Sequence, residues 1–427
     1  MSSKVVKYLA DKIKKNRKAI QEWEKSHALL SPPPFYCSID LRDSGHKIVP
    51  VDSNLYPAGF NNICPEDLRV APGIFRAQIE TLLHQRGRKI ARRILVLPES
   101  HTTNTHYIEN VYYLSQIIEN AGFECVLGWY DPSAEEGSPP IVLKSYTGKE
   151  LKAHPIHIQG GVVSAGGFVP DLILLNNDFS GGYPKPLDAV TQPILPSHVL
   201  GWHSRKKSEH FRYYNQLAGE FSQITGIDPW TIQIDTEEVP AVDFNENVGT
   251  DRVAEVVGQV LERTRQAYAH HQVDRRPFVF VKNNAGTYGM GIMVAHSSDE
   301  VVNMNRRTRN KMSVGKNRMP IESVVVQEGV PTATLVDRLA AEPVIYLFGN
   351  ELIGGFLRTN TLKGDEENLN SQGMVFKKLC MSDLRDADTE SDEEAKTPTL
   401  ELVYGSIARI SALATGIELA KHARENN

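Results

Sequence analysis

The stretch that most limits the fold is RPFVFVKNNAGTYGMGIMVAHS, residues 276–297. Two apolar runs flank a segment holding Gly286, Gly289 and Gly291, so the chain is expected to run strand, glycine loop, strand. The first strand ends on Val281-Lys282 and places a cation at the mouth of the loop. Glycines let backbone N–H groups approach an anion closely, and a lysine beside them supplies a point charge for phosphate oxygens. The spacing is not GxxxxGK[ST] and no helix follows, which argues against a P-loop site. Taken alone, the stretch reads equally well as a glycine-rich hairpin with an exposed lysine.

At 427 residues the chain exceeds what one hydrophobic core usually serves, so two or three packed subdomains are expected. Hydrophobic residues at 41% and charged residues at 23% fit a soluble globular protein, and a net charge of −5 gives no basic footprint for nucleic acid. No apolar stretch approaches the length of a membrane span, and no secretory h-region opens the chain; a cytoplasmic location without membrane contact is expected. Cys37, Cys64, Cys125 and Cys380 are widely spaced with no CxxC pair, which argues against a disulfide framework and a structural zinc site.

Apolar spacing predicts an amphipathic helix over 3–30, ended by Ser31-Pro-Pro-Pro34. Strands are expected at 35–41 and 47–55, turned at Asp43-Ser44-Gly45. Strand 94–98, helix 108–122, strand 123–130, a hairpin near 141–159 and strand 169–178 suggest a small doubly wound α/β domain. Its polar strand ends, 99–104 and 176–178, fall where such folds bind small ligands. Helix 251–270 has core spacing, strands follow at 324–331, 342–350 and 351–360, 382–397 reads as an acidic surface loop, and an amphipathic helix closes the chain.

Downstream of the glycine loop, strand 324–331 ends in Gln327-Glu328 and then Gly329-Val330, a composition suited to holding adenine on backbone groups with an acid near the ribose. Arg358 ends a further strand, and Asn368-Leu-Asn370-Ser-Gln-Gly373 follows; arginine suits charge on a transferring phosphoryl group, and asparagine a phosphate or metal shell. In this order these features resemble the ATP-grasp superfamily, and over 276–378 the corresponding part of bacterial glutathione synthetases. The resemblance implies an earlier ATP lysine in SRKKSEHF, either Lys207 or Lys206.

ATP-grasp enzymes carry their metal-binding acids downstream of the asparagine turn, and here nothing suitable follows. The pattern stands instead near the N-terminus, as Asp40 on one strand and Asp52-Ser-Asn54 on the next. Alternation would bring Asp40 and Asp52 to one face, and their hard oxygens suit Mg²⁺, with Mn²⁺ as an alternative. An ATP-grasp core circularly permuted as in eukaryotic glutathione synthetases is therefore expected; the same residues would otherwise be solvated aspartates of a surface hairpin.

Across residues 35–380 the segments VPVDSNLYPAGFNN, LPESHTTNTHYIENV, LLNNDFSGG, GWHSRKKSEHF and VKNNAGTYGMGI resemble the proteobacterial glutamate–cysteine ligase family. This implies ATP, L-glutamate and L-cysteine as substrates, joined through a γ-glutamyl phosphate without a protein nucleophile. Lys282, Lys207 and Arg358 would offset phosphoryl charge, with Arg42 reaching a carboxylate and Asn61, Asn62, Glu99 and Asn104 as amino-acid contacts. For His101 a loop role held by hydrogen bonds is at least as good a reading. The implied divisions are an N-terminal helix (1–34), a metal hairpin and helix of the ATP-grasp core (35–93), a Rossmann-like substrate domain (94–200), a lid subdomain (201–330) and a C-terminal subdomain (331–427). A glutathione synthetase or other amino-acid ligase, and a nucleotide-binding module without activity, remain open, as does a homo-oligomer.

Overall fold

The computed structural model describes residues 3–85, 87, 91–99, 103–179, 182–201, 204–285, 291–313, 321–380 and 399–425. Strands β1 (Tyr36–Asp43) and β2 (Ile48–Asn54) form an antiparallel hairpin whose turn is closed by Gly45 N donating to Asp43 Oδ1 at 2.8 Å. The free edge of β1 pairs with a strand from the far end of the chain. The resulting large sheet runs β17 (Met374–Leu379), β16 (Glu351–Asn360), β15 (Leu339–Phe348), β1, β2, with β14 (Leu335–Val336) beside β15. This connectivity is what the permuted ATP-grasp expectation requires, since the hairpin bearing Asp40 and Asp52 completes the sheet that carries Arg358.

Alternation explains how that sheet serves two purposes. Cys37, Ile39 and Leu41 of β1, with Ala341, Ile345 and Leu347 of β15, are buried against α1 (Lys4–Lys15), α6 (Lys207–Thr225) and α10 (Thr399–Glu425). The intervening residues Ser38, Asp40, Arg42, Glu342, Val344 and Tyr346 therefore share the opposite face, where they line two cavities.

A second, antiparallel sheet has the order β10 (Thr236–Pro240), β13 (Ser323–Glu328), β11 (Val279–Asn283), β12 (Ile292–Ala295). Val279, Val281, Val324 and Val326 bury one of its faces under α7 (Thr250–His270), through Val253, Val257, Val260 and Leu261. Short helices α8 (Ser298–Val302) and α9 (Arg306–Ser313) follow β12. The face bearing Phe280 and Lys282 is left to look at the large sheet.

The third sheet is mostly parallel, in the order β5 (Ile141–Lys144), β6 (Glu150–Gln159), β4 (Glu124–Trp129), β3 (Arg93–Pro98), β8 (Leu172–Asn176), β9 (Ile194–Leu195); β7 (Val162–Ala165) pairs with β6. After α3 (Pro65–Leu68), helices α4 (Ala71–Gln85) and α5 (Thr105–Asn120) bury Phe75, Ile79, Val111 and Leu114 between this sheet and the Tyr36, Tyr346 and Phe348 side chains of the large one. One continuous core thus fixes the two sheets against each other.

Three expectations need correction. The single helix expected over 3–30 is two, α1 and α2 (Arg17–Leu30), because Asn16 turns its side-chain amide onto the Lys12 and Thr225 carbonyls and leaves helical geometry. Cys64 and Cys380 form a disulfide, Cα–Cα 5.2 Å, across a sequence separation of 316; β17 brings its end beside α3, and spacing along the chain carries no sign of that approach. Cys37 and Cys125 are free. Helix α10 is, by length and composition, apolar enough to cross a membrane, yet 72% of its most apolar window is buried, as befits the helix filling the back of the large sheet.

Candidate active site

The register of the large sheet assembles an ionic floor. Asp40 stands directly opposite Asp52, and Ser38 opposite Asn54, so all four share a face. Glu342 stands opposite Arg358 in the neighbouring pair of strands. Arg358 Nη1 donates to Asp40 Oδ2 at 2.6 Å and to Glu342 Oε1 at 2.8 Å. Arg42 Nε donates to the other Glu342 oxygen at 3.0 Å. Among the described residues, two buried atoms of this floor have no hydrogen-bond partner: Asp40 Oδ1 and Arg358 Nε. A buried orphan acceptor beside a buried orphan donor marks a place shaped for a bound cation and a bound anion.

The roof is β11 of the second sheet. Lys282 Nζ reaches down to the Val51 carbonyl at 3.2 Å and across to Gln327 Oε1 at 2.7 Å. Burial pushes its pKa down to about 7, against the pull of Asp52. Lys207, the first residue of α6, donates to Asp52 Oδ1 at 2.5 Å, and its backbone N–H is anchored by the Asn284 carbonyl at 2.9 Å. Lys206 is exposed and does not line the cleft, so the geometry separates the two lysines that sequence left equivalent. Burial alone would raise the Asp52 carboxyl, but Lys207, Lys282 and Arg205 hold it below the usual range. Asp40 goes the other way: burial dominates and raises it despite Arg358.

Behind the floor, a buried network holds β2 in place. Arg205 donates to the Ser53 carbonyl at 2.5 Å and, through Nε, to Glu418 Oε2 of α10 at 2.8 Å. His210 Nδ1 lies 2.5 Å from the other Glu418 oxygen, and its Nε2 lies 3.0 Å from Ser411 Oγ. Arg205 and His210 hold Glu418 at about 2, against the upward push of burial. Ser53 sits between Asp52 and Asn54, so this bolt sets where both neighbours point.

Other expected site residues are placed as follows. Gly286 and Gly289 lie outside the described residues, as do His101 and the segment 382–397. Gly291 has φ +61°, and a Cβ there would meet Ile321 Cδ1 at 2.7 Å, so glycine is required at the end of the loop. Glu328 accepts from Lys47 Nζ through both oxygens, at 2.9 and 2.8 Å, in a buried pair. Val330 is core, and its carbonyl accepts from Arg42 Nη1 at 3.3 Å. Arg42 also donates to the Asp365 and Glu367 carbonyls at 2.8 and 2.6 Å, so it clamps the loop before Asn368 as well as lining the cleft. Asn370 lines the cleft. Asn61 and Asn62 form a short 3-10 turn outside both cavities, and Asn104 caps α5 by accepting from Tyr107 N at 3.1 Å. Glu99 lines a second cavity of about 170 Å³, which shares Arg358 and Asn370 with the cleft.

Sequence reasoning missed Glu342, which bridges the two arginines. Its signal was an acid at an alternate position of the apolar run AAEPVIYLF, on the face of Val344 and Tyr346. Asp178, Tyr346 and Phe356 in the second cavity were missed as well.

The Glutamate-cysteine ligase (GshA) family model matches residues 10–419. In solved structures, the chain is similar to a candidate gamma-glutamylcysteine synthetase of Methylobacillus flagellatus KT, with 35% identity and a TM-score of 0.86 over 97% of this chain and 96% of that one. More distant similarity is found to D-alanyl-alanine synthetase A of Vibrio cholerae, at 12% identity and TM-score 0.34 over 74% of this chain and 79% of that one. A glutathione synthetase-like effector of Globodera pallida stands at 11% identity and TM-score 0.36 over 83% and 75%. No curated protein sequence matches the chain. The match over almost the whole length establishes that this chain is a ligase and belongs to the glutamate-cysteine ligase family.

Proposed function

We propose that this cleft joins the γ-carboxylate of glutamate to the amine of cysteine at the expense of ATP. The observation that carries the reading is the pair of buried atoms Asp40 Oδ1 and Arg358 Nε, without partners among the described residues, on one sheet face with Lys282 and Lys207 lining the same cleft. A nucleotide triphosphate with a divalent cation supplies both missing partners.

The donor set fits Mg²⁺: Asp40, Asp52 and Asn54 present hard oxygens, and Asp40 Oδ1 is short of a partner. Bound there, the ion would offset the charge of the nucleotide phosphates. Lys207 and Lys282 bind the phosphates, Lys207 by exchanging Asp52 for a phosphoryl oxygen. Arg358 stabilises charge on the transferring phosphoryl group, and Glu342 holds the guanidinium in position from the adjacent strand. The glutamate γ-carboxylate attacks the terminal phosphorus, ADP leaves, and the amine then displaces phosphate from the acyl phosphate. Each step is a matter of positioning and charge, so no protein nucleophile is needed.

Phosphate release from ATP tests the reading, measured with glutamate alone, glutamate plus cysteine, and glycine plus γ-glutamylcysteine. Rapid release only with glutamate and cysteine is expected. Turnover only with the dipeptide and glycine would assign a glutathione synthetase, and no turnover with any pair would leave a binding module.

A further inference from the structure

We propose that Cys64, Cys380 and Glu66 form a thiolate site for a soft divalent cation such as Zn²⁺, and that the disulfide is the oxidised, metal-free form of this site. The ligands come from one short stretch and one distant strand end. Cys64 and Glu66 flank Pro65 at the start of α3, and Cys380 directly follows β17. One ligand atom from each, two sulfurs and a carboxylate oxygen, all lie within 4.8 Å of one another. None of the three residues lines the cleft or the second cavity.

Glu66 is what points beyond a plain cross-link. Its Oε2 stands 2.8 Å from Cys64 Sγ and 3.8 Å from Cys380 Sγ. A disulfide sulfur carries no hydrogen, so this oxygen accepts no hydrogen bond from either. The other oxygen lies 3.9 Å from Arg69, an exposed pair that contributes little. A carboxylate facing two sulfurs gains a shared partner once those sulfurs are thiolates around a cation. The dimensions agree: Zn–S bonds of about 2.3 Å in a tetrahedral site set two sulfurs roughly 3.8 Å apart. The two Cα atoms are 5.2 Å apart, close enough for rotation of the side chains to open the sulfurs to that spacing. Thiolate ligands select Zn²⁺ over Mg²⁺, which separates this site from the oxygen ligands of the Asp40–Asp52 hairpin. The remaining thiols do not compete. Burial pushes Cys37 and Cys125 up to about 12, and a thiol that stays protonated is a poor ligand.

A small-molecule thiol opens the site. Its thiolate attacks Cys380 Sγ, the more exposed sulfur, and the S–S bond breaks with Cys64 leaving as thiolate. A second thiol molecule then displaces the first from Cys380. Two external thiols are thereby oxidised to one disulfide, and the protein disulfide is reduced to two thiols. Zn²⁺ binds both sulfurs as their two protons pass to solvent. The cation repeats the link between α3 and β17, the outer strand of the large sheet. Met374 and Phe376 of that strand line the second cavity, so their support persists when the disulfide is open.

Titration of the full chain with Co²⁺, in excess Mg²⁺, tests the assignment on protein reduced and then freed of reductant without air. Thiolate-to-cobalt charge-transfer absorption reports sulfur ligation, which the oxygen ligands of the hairpin cannot produce. We expect the band to saturate at one Co²⁺ per reduced chain, to bleach when Zn²⁺ is added, and to be absent from the oxidised protein. Cys380→Ser should remove most of the band. Glu66→Gln keeps both cysteines and changes an exposed side chain, so the fold is spared, and it should weaken Co²⁺ binding about tenfold or more. Reduced wild type without the band, an equal band in Cys380→Ser, or unchanged affinity in Glu66→Gln would overturn the site.

Discussion

Arg358 and Asp40 hold each other at 2.6 Å while each keeps a second buried polar atom without a partner among the described residues. A half-satisfied buried pair is costly in an empty cleft and useful in a filled one, because the protein holds the charges in place before the ligands arrive. Every other charged group of the floor is paired in the same provisional way: Asp52 with Lys207, and Glu342 with both arginines.

Arg358→Lys should therefore lower turnover by about 100-fold or more, since one nitrogen can replace Nη1, which serves both Asp40 and Glu342, but not the Nε left over for a ligand. Protein content of the soluble fraction and the thermal midpoint separate this from misfolding. Arg358→Met, which leaves the buried Asp40 without its cation and Glu342 with Arg42 alone, should in addition destabilise by about 3–5 kcal/mol.

Asp52→Asn should abolish metal-dependent turnover, by on the order of 100-fold or more, and leave the fold intact. Lys207 loses its carboxylate partner in this variant, so metal-free ATP should bind no more weakly than to wild type. Calorimetry with ATP in the presence of a chelator measures that directly. Retained turnover would contradict the metal role of the hairpin.

Lys282 gives a pH dependence of defined sign. With its pKa lowered to about 7 by burial, it loses charge in the free protein through the neutral range, and phosphate binding must restore the proton. ATP affinity should thus fall above pH about 7, by up to about tenfold per unit, with proton uptake on binding. Titrations in buffers of different ionisation heat report the uptake, and Lys282→Arg should abolish it. For stability, the folded value lies below the ordinary 10.5, so the unfolded chain binds more protons between about 7 and 10.5. This group alone makes stability rise with pH over that window.

Glu418, held at about 2 against an ordinary 4.5, contributes stability that is present above about 4.5 and lost as pH falls toward 2. Glu418→Gln should cost about 3–5 kcal/mol, because Arg205 and His210 are left in the core with a neutral partner. The loosened Ser53 carbonyl should also shift the Mg²⁺ concentration for half-maximal activity upward. Denaturant titration reads the first effect, and a metal titration of turnover the second.

The disulfide between Cys64 and Cys380 closes a very long loop, and its reduction should remove about 2–4 kcal/mol of stability. Melting curves with and without reductant test this, and Cys380→Ser should melt like the reduced protein in both conditions.

Much of the arrangement could be read along the chain because its determinants are local. Asp40, Asp52 and Asn54 lie on one short hairpin, where alternation and a two-strand register settle which face they share. Lys282 and Gly291 likewise belong to one strand–loop–strand unit. What escaped depends on partners distant in sequence. Glu342 meets Arg42 from 300 residues away, and Cys64 meets Cys380 from 316, and nothing near either residue announces it. Glu328 looks like a ribose acid at a strand exit until Lys47, 281 residues earlier, is seen to occupy both its oxygens. Asn104 shows a different failing: a polar residue beyond a strand suits a ligand contact and a helix cap equally, and here it caps α5.

The most direct test of the account follows the oxygen. Glutamate carrying a heavy-oxygen label in its γ-carboxylate should, on turnover with ATP and cysteine, deliver one labelled oxygen to each phosphate released, because the bond broken in the second step joins that oxygen to the acyl carbon. Phosphate free of label, with dipeptide still formed, would contradict an acyl phosphate held beneath Arg358.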